Sequence, residues 1–226
     1  MIEVRLIAKA NEAPANVVER AACVCYNSEP DYEEHRHAHM CARSGHWSVW
    51  EHINFTFHVR GVSRALLAQL SRHRHISLSV RSQRYCNETA FDYVKPDSCD
   101  GHAAYAYADA MGEAAAKYRA LTALDVPKED ARMVLPNACC TELIMTANAR
   151  ALIEISHQRL CSRAQWEIRT LFEKIRDLMM AYCPDVAIYM VPKCKAHVVP
   201  FCEEAKSCGL SPRLSDLKKL SEVQHG

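Results

Sequence analysis

The sequence has few glycines and lacks the glycine-rich loops that hold phosphate groups in many nucleotide-binding proteins. Only six of its 226 residues are glycine, and neither G-x-G-x-x-G nor G-x-x-x-x-G-K-[ST] occurs. H-E-x-x-H and G-x-S-x-G are also absent, which excludes the common metalloprotease and hydrolase motifs. A phosphate-binding site in this chain therefore has to use side chains.

The sequence also lacks an excess of either charge and any long apolar run. Its 28 basic and 27 acidic residues give a formal net charge of +1, so no global field attracts nucleic acid or a membrane surface. No stretch approaches the roughly 20 apolar residues of a spanning helix, and the first residues do not resemble a signal peptide. We therefore expect a cytoplasmic protein with no nucleic-acid or membrane partner.

Cysteine, in contrast, is abundant, with twelve residues spread from Cys23 to Cys208. Without an export signal, we expect most of them to be reduced, buried thiols. The C-terminal tail, residues 193–226, carries a group that could in principle bind a metal: Cys194, Cys202 and Cys208, with Cys183 and His197 nearby. Their spacing matches no standard zinc pattern. We predict no metal site.

Hydrophobic periodicity predicts a mixed helix and strand fold. A chain of 226 residues with 49% hydrophobic residues can bury a full core and fits one domain, 1–226, with the cysteine-bearing tail at its end. Strands are predicted at 2–9, 53–59 and 139–149, and helices from Pro14, over about 32–45, 65–70, 101–124, after Pro127 and over 163–182. Strands and long helices in no regular alternation indicate an α+β domain.

Three local patterns give sharper predictions. Gly61 is expected to end the strand at 53–59. Ser162 and Gln165 form an S-x-x-Q capping box, which predicts the start of the helix at 163–182. The last predicted strand would place three polar side chains on one face: Thr146, Asn148 and Arg150.

The segment RHRHISLSVRSQRY, which starts at Arg72, concentrates cationic and hydroxyl side chains. It holds four arginines and three serines within fourteen residues: Arg72, Arg74, Arg81 and Arg84, with Ser77, Ser79 and Ser82. A guanidinium makes two charge-assisted hydrogen bonds to adjacent phosphate oxygens, and hydroxyls complete the oxygen shell. The segment suits a nucleotide or dinucleotide, although a solvated basic loop or an RNA-contacting patch is an alternative for such a run.

Several blocks of sequence resemble one known enzyme family in order and spacing. Arg72-His73-Arg74, followed after seven residues by Ser82 and then Gln83-Arg84-Tyr85, is similar to the signature motif of the flavin-dependent thymidylate synthases. The resemblance extends at least from 45 to 168 and includes four further blocks: GHWSVWEHINFTFHV (45–59), GVSRALLAQLS (61–71), ARMVLPNA (131–138) and TANARALIEISHQRLCSRAQWEI (146–168). It implies that family's α+β fold, with a mainly antiparallel sheet flanked by long helices.

The resemblance implies a reductive methylation of dUMP to dTMP. FAD would be the cofactor, 5,10-methylenetetrahydrofolate the carbon donor and NADPH the reductant, and the active sites would lie between subunits of a homotetramer. No cysteine nucleophile is needed in this scheme. The alternatives are a methylase of the same family that acts on UMP or another pyrimidine nucleotide, a noncatalytic RNA-binding protein, and a regulatory member that has lost FAD.

The resemblance also carries over site residues by position. Arg159, which would polarise the uracil ring, and Ser82 are the catalytic candidates. The FAD candidates are His46, Ser48, Arg72, His73, Arg74, Ser79, Asn148, Arg150 and Arg163. The nucleotide candidates are Gln69, Arg72, Val80, Arg81, Ser82, Gln83, Arg84, Arg132 and Arg159, of which Ser82 and Arg84 suit the 5′-phosphate.

Three positions depart from the family pattern. Val80 stands where relatives often have an acidic or amide side chain, and valine offers no side-chain hydrogen bond. Glu154 stands where an amide can face FAD, and a carboxylate there would repel a pyrophosphate unless it turned away or was protonated. Cys25 lies near a position where relatives can have serine.

Overall fold

A computed structural model describes residues 1–10 and 12–217. Its helices are α1 (Pro14–Tyr26), α2 (Arg36–Arg43), α3 (Arg64–Leu70), α4 (Gly101–Ala123), α5 (Lys128–Ala131), α6 (Ala149–Arg159), α7 (Trp166–Tyr182) and α8 (Pro184–Ala187). Its strands are β1 (Glu3–Ala8), β2 (Asn54–Ser63), β3 (Ile76–Val80) and β4 (Cys140–Asn148). Short 3₁₀ helices cover Trp47–His52, Arg132–Val134 and Lys193–Lys195. The α+β prediction is confirmed.

The strands form one antiparallel sheet in the order β1-β2-β4-β3. Side chains of β4 alternate between buried and half-buried positions along its whole length. In β2 the predicted apolar residues Phe55, Phe57 and Val59 are fully buried, and each contributes about 1.5–3 kcal/mol by leaving water. The alternation read from the sequence therefore identifies the core face of both strands.

The chain divides into two compact units. The first consists of Met1–Arg5 and Phe57–Met145, and the second of Leu6–Thr56 and the described residues from Thr146 onwards. Strands β1, β2 and β4 contribute residues to both units. The prediction of a single domain over 1–226, which ends in the cysteine-bearing tail at 193–226, stays a prediction, and residues 218–226 of that tail lie outside the described residues.

Gly61 does not end β2, and that prediction is wrong. The strand continues through it to Ser63. Gly61 has a φ of +69°, and a Cβ at this position would lie 2.5 Å from the carbonyl oxygen of Met1. Glycine is therefore required here because another backbone approaches closely, which is a known use of glycine inside a strand.

The start of α7 and the end of β4 also differ from expectation. Helix α7 begins at Trp166, because the Oε1 of Gln165, not Ser162, accepts the backbone N–H groups of Glu167 (3.1 Å) and Ile168 (3.2 Å). Thr146 lies on the half-buried face of β4 as predicted, and so does Asn148. Arg150 does not, because α6 has already begun at Ala149.

The twelve cysteines all lie among the described residues and form no disulfide. The expectation of reduced thiols stays a prediction. Only Cys23, Cys41, Cys139, Cys183 and Cys202 are buried, so the expectation that most are buried is wrong. Within the described ranges, no helix is long and apolar enough to cross a membrane.

Candidate active site

Helix α3 leads directly into the signature arginines, as the sequence predicts. The Oγ of Ser63 caps α3 by accepting the backbone N–H of Leu66 (3.0 Å). The helix ends at Leu70, whose carbonyl oxygen accepts the backbone N–H of His73 at 3.1 Å. Arg72 and Arg74 flank His73 on this turn, and both side chains are exposed. The turn therefore presents two guanidiniums to solvent in the first compact unit.

Strand β3 follows this turn and places its serine side chains and its apolar side chains on opposite faces. Ser77 and Ser79 are exposed, whereas Ile76, Leu78 and Val80 are half-buried. Ser79 thus has a hydroxyl available to a ligand. Val80 lies on the same half-buried face as Ile76 and Leu78, opposite the face of the exposed serines.

The turn after β3 is held by hydrogen bonds of Ser82 and Gln83. The Oγ of Ser82 accepts the backbone N–H of Arg84 (3.2 Å), and its carbonyl oxygen accepts the N–H of Cys86 (2.9 Å). Gln83 donates from Nε2 to the Sγ of Cys139 (3.5 Å). Burial raises the pKa of the Cys139 thiol to about 11. Burial therefore favours the neutral thiol of Cys139, whose sulfur accepts the hydrogen bond from Gln83.

Two predicted nucleotide-binding arginines, far apart in sequence, meet at Glu129 of α5. The Nε of Arg84 lies 2.5 Å from the Glu129 carboxylate, and the Nε of Arg132 donates to the Glu129 carbonyl oxygen at 3.0 Å. Lys128 donates to the carbonyl oxygen of Tyr85 (3.1 Å) and fastens the two segments together. Both arginines therefore contact the same residue, Arg84 through its carboxylate and Arg132 through its backbone carbonyl oxygen, and their nucleotide contacts stay predictions.

Arg81 lies in the same segment but is committed to a buried acid. Its guanidinium lies 3.4 Å from the carboxylate of Glu88, whose side chain is only 2% exposed. Arg64 donates to the Arg81 carbonyl oxygen at 2.7 Å. A buried carboxylate requires such a cationic partner, because an unpaired buried charge is strongly destabilising. The structure thus shows a structural contact for Arg81, and its substrate role stays a prediction.

The second compact unit holds Asn148 and Arg150 at the start of α6. The Oδ1 of Asn148 accepts the backbone N–H of Ala151 (2.7 Å) and caps the helix. Arg150 donates from Nε to Glu154 (2.7 Å) and from Nη1 to Glu51 (2.8 Å). Glu154 is therefore turned towards an arginine in this structure. A ligand at Arg150 would have to use the remaining Nη2 or displace a carboxylate.

His46 and Ser48 lie before and within the first 3₁₀ helix of the same unit. The backbone N–H of His46 donates to the carbonyl oxygen of Cys41 at 2.7 Å, which fixes the position of the residue. Both side chains are exposed. An exposed side chain and a fixed backbone do not show what these two residues bind, so their flavin contacts stay predictions.

Arg159 and Arg163 belong to different structural segments. Arg159 is the last residue of α6 and is half-buried, and burial lowers its pKa. The guanidinium nevertheless keeps its charge, because arginine is not deprotonated in proteins. Arg163 follows the helix end, is exposed, and bonds to the carbonyl oxygen of Lys206 (3.3 Å) and the carboxylate of Glu204 (3.4 Å). The two arginines therefore do not share a helix face.

The chemistry of the exposed donors fits the flavin that the resemblance implies. A dinucleotide carries a pyrophosphate, and Arg72 and Arg74 offer guanidiniums of the kind that bind such anions in two-point contacts. His73 and the Ser79 hydroxyl lie in the same segment. Sequence reasoning missed Glu51, Glu88 and Glu129, the acidic partners of three candidate arginines. Only the Arg150–Glu154 pair, at i,i+4 spacing on α6, had a local signal.

Comparison with known proteins identifies the family. Residues 5–185 match the model of the Thy1 family, described as thymidylate synthase complementing protein. Proteins named flavin-dependent thymidylate synthase from Nitratidesulfovibrio vulgaris and Geobacter sulfurreducens are 40% and 41% identical, over 73% and 78% of this chain and 68% and 75% of theirs. The protein of that name from Clostridium tetani is 34% identical over 92% of both chains. The chain belongs to the flavin-dependent thymidylate synthases, methyltransferase-type enzymes of nucleotide biosynthesis.

Proposed function

We propose that this chain methylates dUMP to dTMP with FAD, taking the carbon from 5,10-methylenetetrahydrofolate and reducing power from NADPH. The observation that carries the proposal is the convergence of Arg84 and Arg132 on Glu129. A nucleotide 5′-phosphate is an oxyanion like the Glu129 carboxylate but carries more charge. It is therefore a suitable replacement for that carboxylate at Arg84, and Arg132, held by the backbone carbonyl oxygen of the same residue, is a second proposed phosphate contact.

Several neighbouring groups complete the proposed nucleotide site. Ser82 has a hydroxyl on the turn that carries Arg84, and it is suited to the phosphate. Gln83 has an amide held in place by Cys139, which leaves its carbonyl oxygen available to a ring N–H or a ribose hydroxyl. Gln69, near the end of α3, Arg72, Val80 and Arg81 are further proposed contacts, Val80 through its backbone.

The flavin contacts are proposed from the motifs that carry the family resemblance. The proposed contacts are His46, Ser48, Arg72, His73, Arg74, Ser79, Asn148, Arg150 and Arg163. When bound, FAD supplies the chemistry of methylene transfer and of the hydride that completes the methyl group. The side chains of this chain bind, orient and neutralise charge.

Arg159 is the proposed catalytic group, with Ser82 beside the phosphate. Carbon 5 of uracil becomes nucleophilic when negative charge develops on the ring, and a guanidinium fixed in a half-buried position stabilises that charge. Charge stabilisation of this kind typically contributes on the order of 10²-fold or more to kcat. No cysteine is required, and the raised pKa of Cys139 agrees with a nonnucleophilic role. We also propose a cytoplasmic homotetramer with the sites between subunits.

The test measures flavin binding and turnover separately. The visible spectrum of the purified protein reports bound flavin, and tritium release from carbon 5 of labelled dUMP or UMP, with methylenetetrahydrofolate and NADPH, reports turnover. We expect a yellow protein that releases tritium from dUMP. Turnover on UMP alone would instead support the rival substrate that Val80 suggests, and a protein that binds no flavin would refute the enzymatic proposal.

A pair of arginine variants tests the role of Arg159. Arg159→Lys keeps the positive charge but loses the planar fork, so we expect kcat to fall on the order of 10²-fold with flavin content unchanged. Arg176→Lys, on α7, makes the same chemical change at a residue outside the proposed site and should keep wild-type kcat. Equal kcat in both variants would refute the assignment of Arg159.

A further inference from the structure

Three side chains of metal-ligating type come together in the second compact unit, and none of them is among the residues proposed above. Glu19 and Cys23 are one turn apart on α1, and His37 belongs to α2. Glu19 Oε1 lies 2.7 Å from His37 Nδ1 and 3.8 Å from Cys23 Sγ, and the sulfur lies 3.4 Å from the same nitrogen. Within residues 1–10 and 12–217, no other group of three or more His, Cys, Asp or Glu side chains comes together in this way. The tail cysteines therefore do not form such a group.

The distances are close to those of a tetrahedral metal site. With Zn–S near 2.3 Å and Zn–N and Zn–O near 2.0–2.1 Å, tetrahedral ligand atoms lie about 3.3–3.6 Å apart. Two of the three separations are within about 0.3 Å of this range, so they need almost no adjustment. The Glu19–His37 separation has to open by roughly 0.6 Å, which replaces their hydrogen bond with two metal bonds.

Neighbouring hydrogen-bonding groups position the side chains of Glu19 and His37. The backbone N–H groups of Asp31 and Ala38 donate to the Glu19 carboxylate at 3.1 and 2.8 Å, and fix its position. The Nε2 of His37 lies 3.2 Å from Ser28 Oγ. Without an ion, Nδ1 donates to the Glu19 carboxylate. On metal binding the ring proton would have to be on Nε2, where it is donated to Ser28 Oγ, so that Nδ1 is free to bind the ion, as in ligating histidines.

We propose that Glu19, Cys23 and His37 form a Zn²⁺ site, with a water molecule as the fourth ligand. Binding releases the thiol proton of Cys23, so the site carries a thiolate, a carboxylate and a neutral imidazole. Glu19 and Cys23 are buried, whereas the His37 side chain is 26% exposed and provides the route of entry. A bound ion would join α1 to α2. This proposal differs from the sequence-based prediction of no metal site, which considered the cysteines of the C-terminal tail and not Glu19, Cys23 and His37.

Twelve thiols can bind zinc adventitiously, so the test compares matched cysteine variants of the whole flavin-loaded protein. Cys23→Ser keeps the size and hydrogen bonding of the side chain but removes the soft ligand. Cys99→Ser makes the same change in the first compact unit. His37→Gln is a second ligand variant that retains a donor to Glu19. Zinc is added, excess ion is removed by gel filtration, and bound zinc per chain is measured by elemental mass spectrometry and by competition with a chromophoric chelator.

We expect about one zinc per chain in the wild type and in Cys99→Ser, and at least about a tenfold loss of zinc affinity in Cys23→Ser and His37→Gln. X-ray absorption at the zinc edge should show one sulfur neighbour at about 2.3 Å. Added zinc should raise the unfolding midpoint of the wild type but not that of Cys23→Ser. A wild type that retains no zinc, or a Cys23→Ser protein that binds zinc as the wild type does, would overturn the proposal.

Discussion

Replacing Glu129 by glutamine removes the carboxylate that lies against Arg84 and leaves the backbone intact. The Glu129 side chain is 45% exposed and that of Arg84 55% exposed, with 2.5 Å between the Nε and a carboxylate oxygen. Arg132 bonds to the Glu129 backbone carbonyl, so this contact survives the substitution. A 5′-phosphate that binds Arg84 has to displace the carboxylate in the wild type but not in Glu129→Gln.

The size of the effect follows from the exposure of the pair. Partly exposed ion pairs contribute about 0.2–1 kcal/mol, so breaking this one before ligand binding costs no more than that. Glu129→Gln should therefore bind dUMP up to about fivefold more tightly and lose less than about 1 kcal/mol of unfolding free energy. Calorimetric titration of the flavin-loaded protein with dUMP measures the affinity, and urea unfolding measures the stability. Deoxyuridine, which lacks the phosphate, should bind both proteins equally.

Glu113→Gln is the matched control for this change. Glu113 is an exposed residue of α4 in the same compact unit, so its substitution alters net charge equally without touching Arg84. Any gain of dUMP affinity shared by both variants is a general charge effect and has to be subtracted. If Glu129→Gln binds dUMP more weakly than Glu113→Gln, the carboxylate contributes to nucleotide binding and does not compete with it, and the reasoning is refuted.

Three further predictions concern stability. Asn148→Ala removes the cap of α6 and should cost about 1 kcal/mol of unfolding free energy, whereas Asn148→Asp should cost much less; urea titration distinguishes the two. Gly61→Ala forces a Cβ within 2.5 Å of the Met1 carbonyl oxygen at positive φ, so we expect a loss of at least about 1–3 kcal/mol, and a smaller loss would mean that β1 can move away. Since burial raises the pKa of Cys139 from 9.0 to about 11, its contribution to stability is complete below pH 9 and is lost as the pH rises to 11. Cys139→Ala should weaken this alkaline loss without abolishing it, because Cys183 has a similarly raised pKa of about 11.

Local sequence signals predicted the elements well where the periodicity was long and uninterrupted. Helix α4 covers 101–123 against a predicted 101–124, and β2 and β4 alternate as expected. The errors fall at boundaries, where a long-range contact decides the outcome. Gly61 continues a strand because Met1 lies against it, and a residue 60 positions away leaves no sign in the local pattern. Gln165 caps α7 with its own side chain. The S-x-x-Q pattern does not show whether the serine or the glutamine is the capping residue.

The sequence predicts candidate ligand-binding residues but not their present partners. Arginine-rich spacing and family resemblance predict which guanidiniums would bind anions, because their type and order lie in contiguous motifs. Their present partners lie elsewhere in the chain: Glu129 for Arg84, Glu88 for Arg81 and Glu51 for Arg150. Such pairs depend on how distant segments fold together. For the same reason, the Glu19–Cys23–His37 cluster has a local signal only in its i,i+4 half on α1.

The acidic partners resolve an apparent conflict between a strongly cationic segment and a net charge of +1. Guanidiniums without nearby acids would attract any polyanion, including nucleic acid, with little selectivity. Arg84 and Arg150 instead hold carboxylates on exposed surfaces, where each pair contributes at most about 1 kcal/mol. A phosphate dianion can displace so weak a pair, because it brings more charge and fits the same planar fork. Arg81 differs, because its partner Glu88 is buried and cannot be released without leaving an unpaired charge in the core. Exposure of the acid therefore distinguishes the ion pairs that a phosphate can displace from the Arg81–Glu88 pair, so the proposed nucleotide contact of Arg81 has to leave that pair intact.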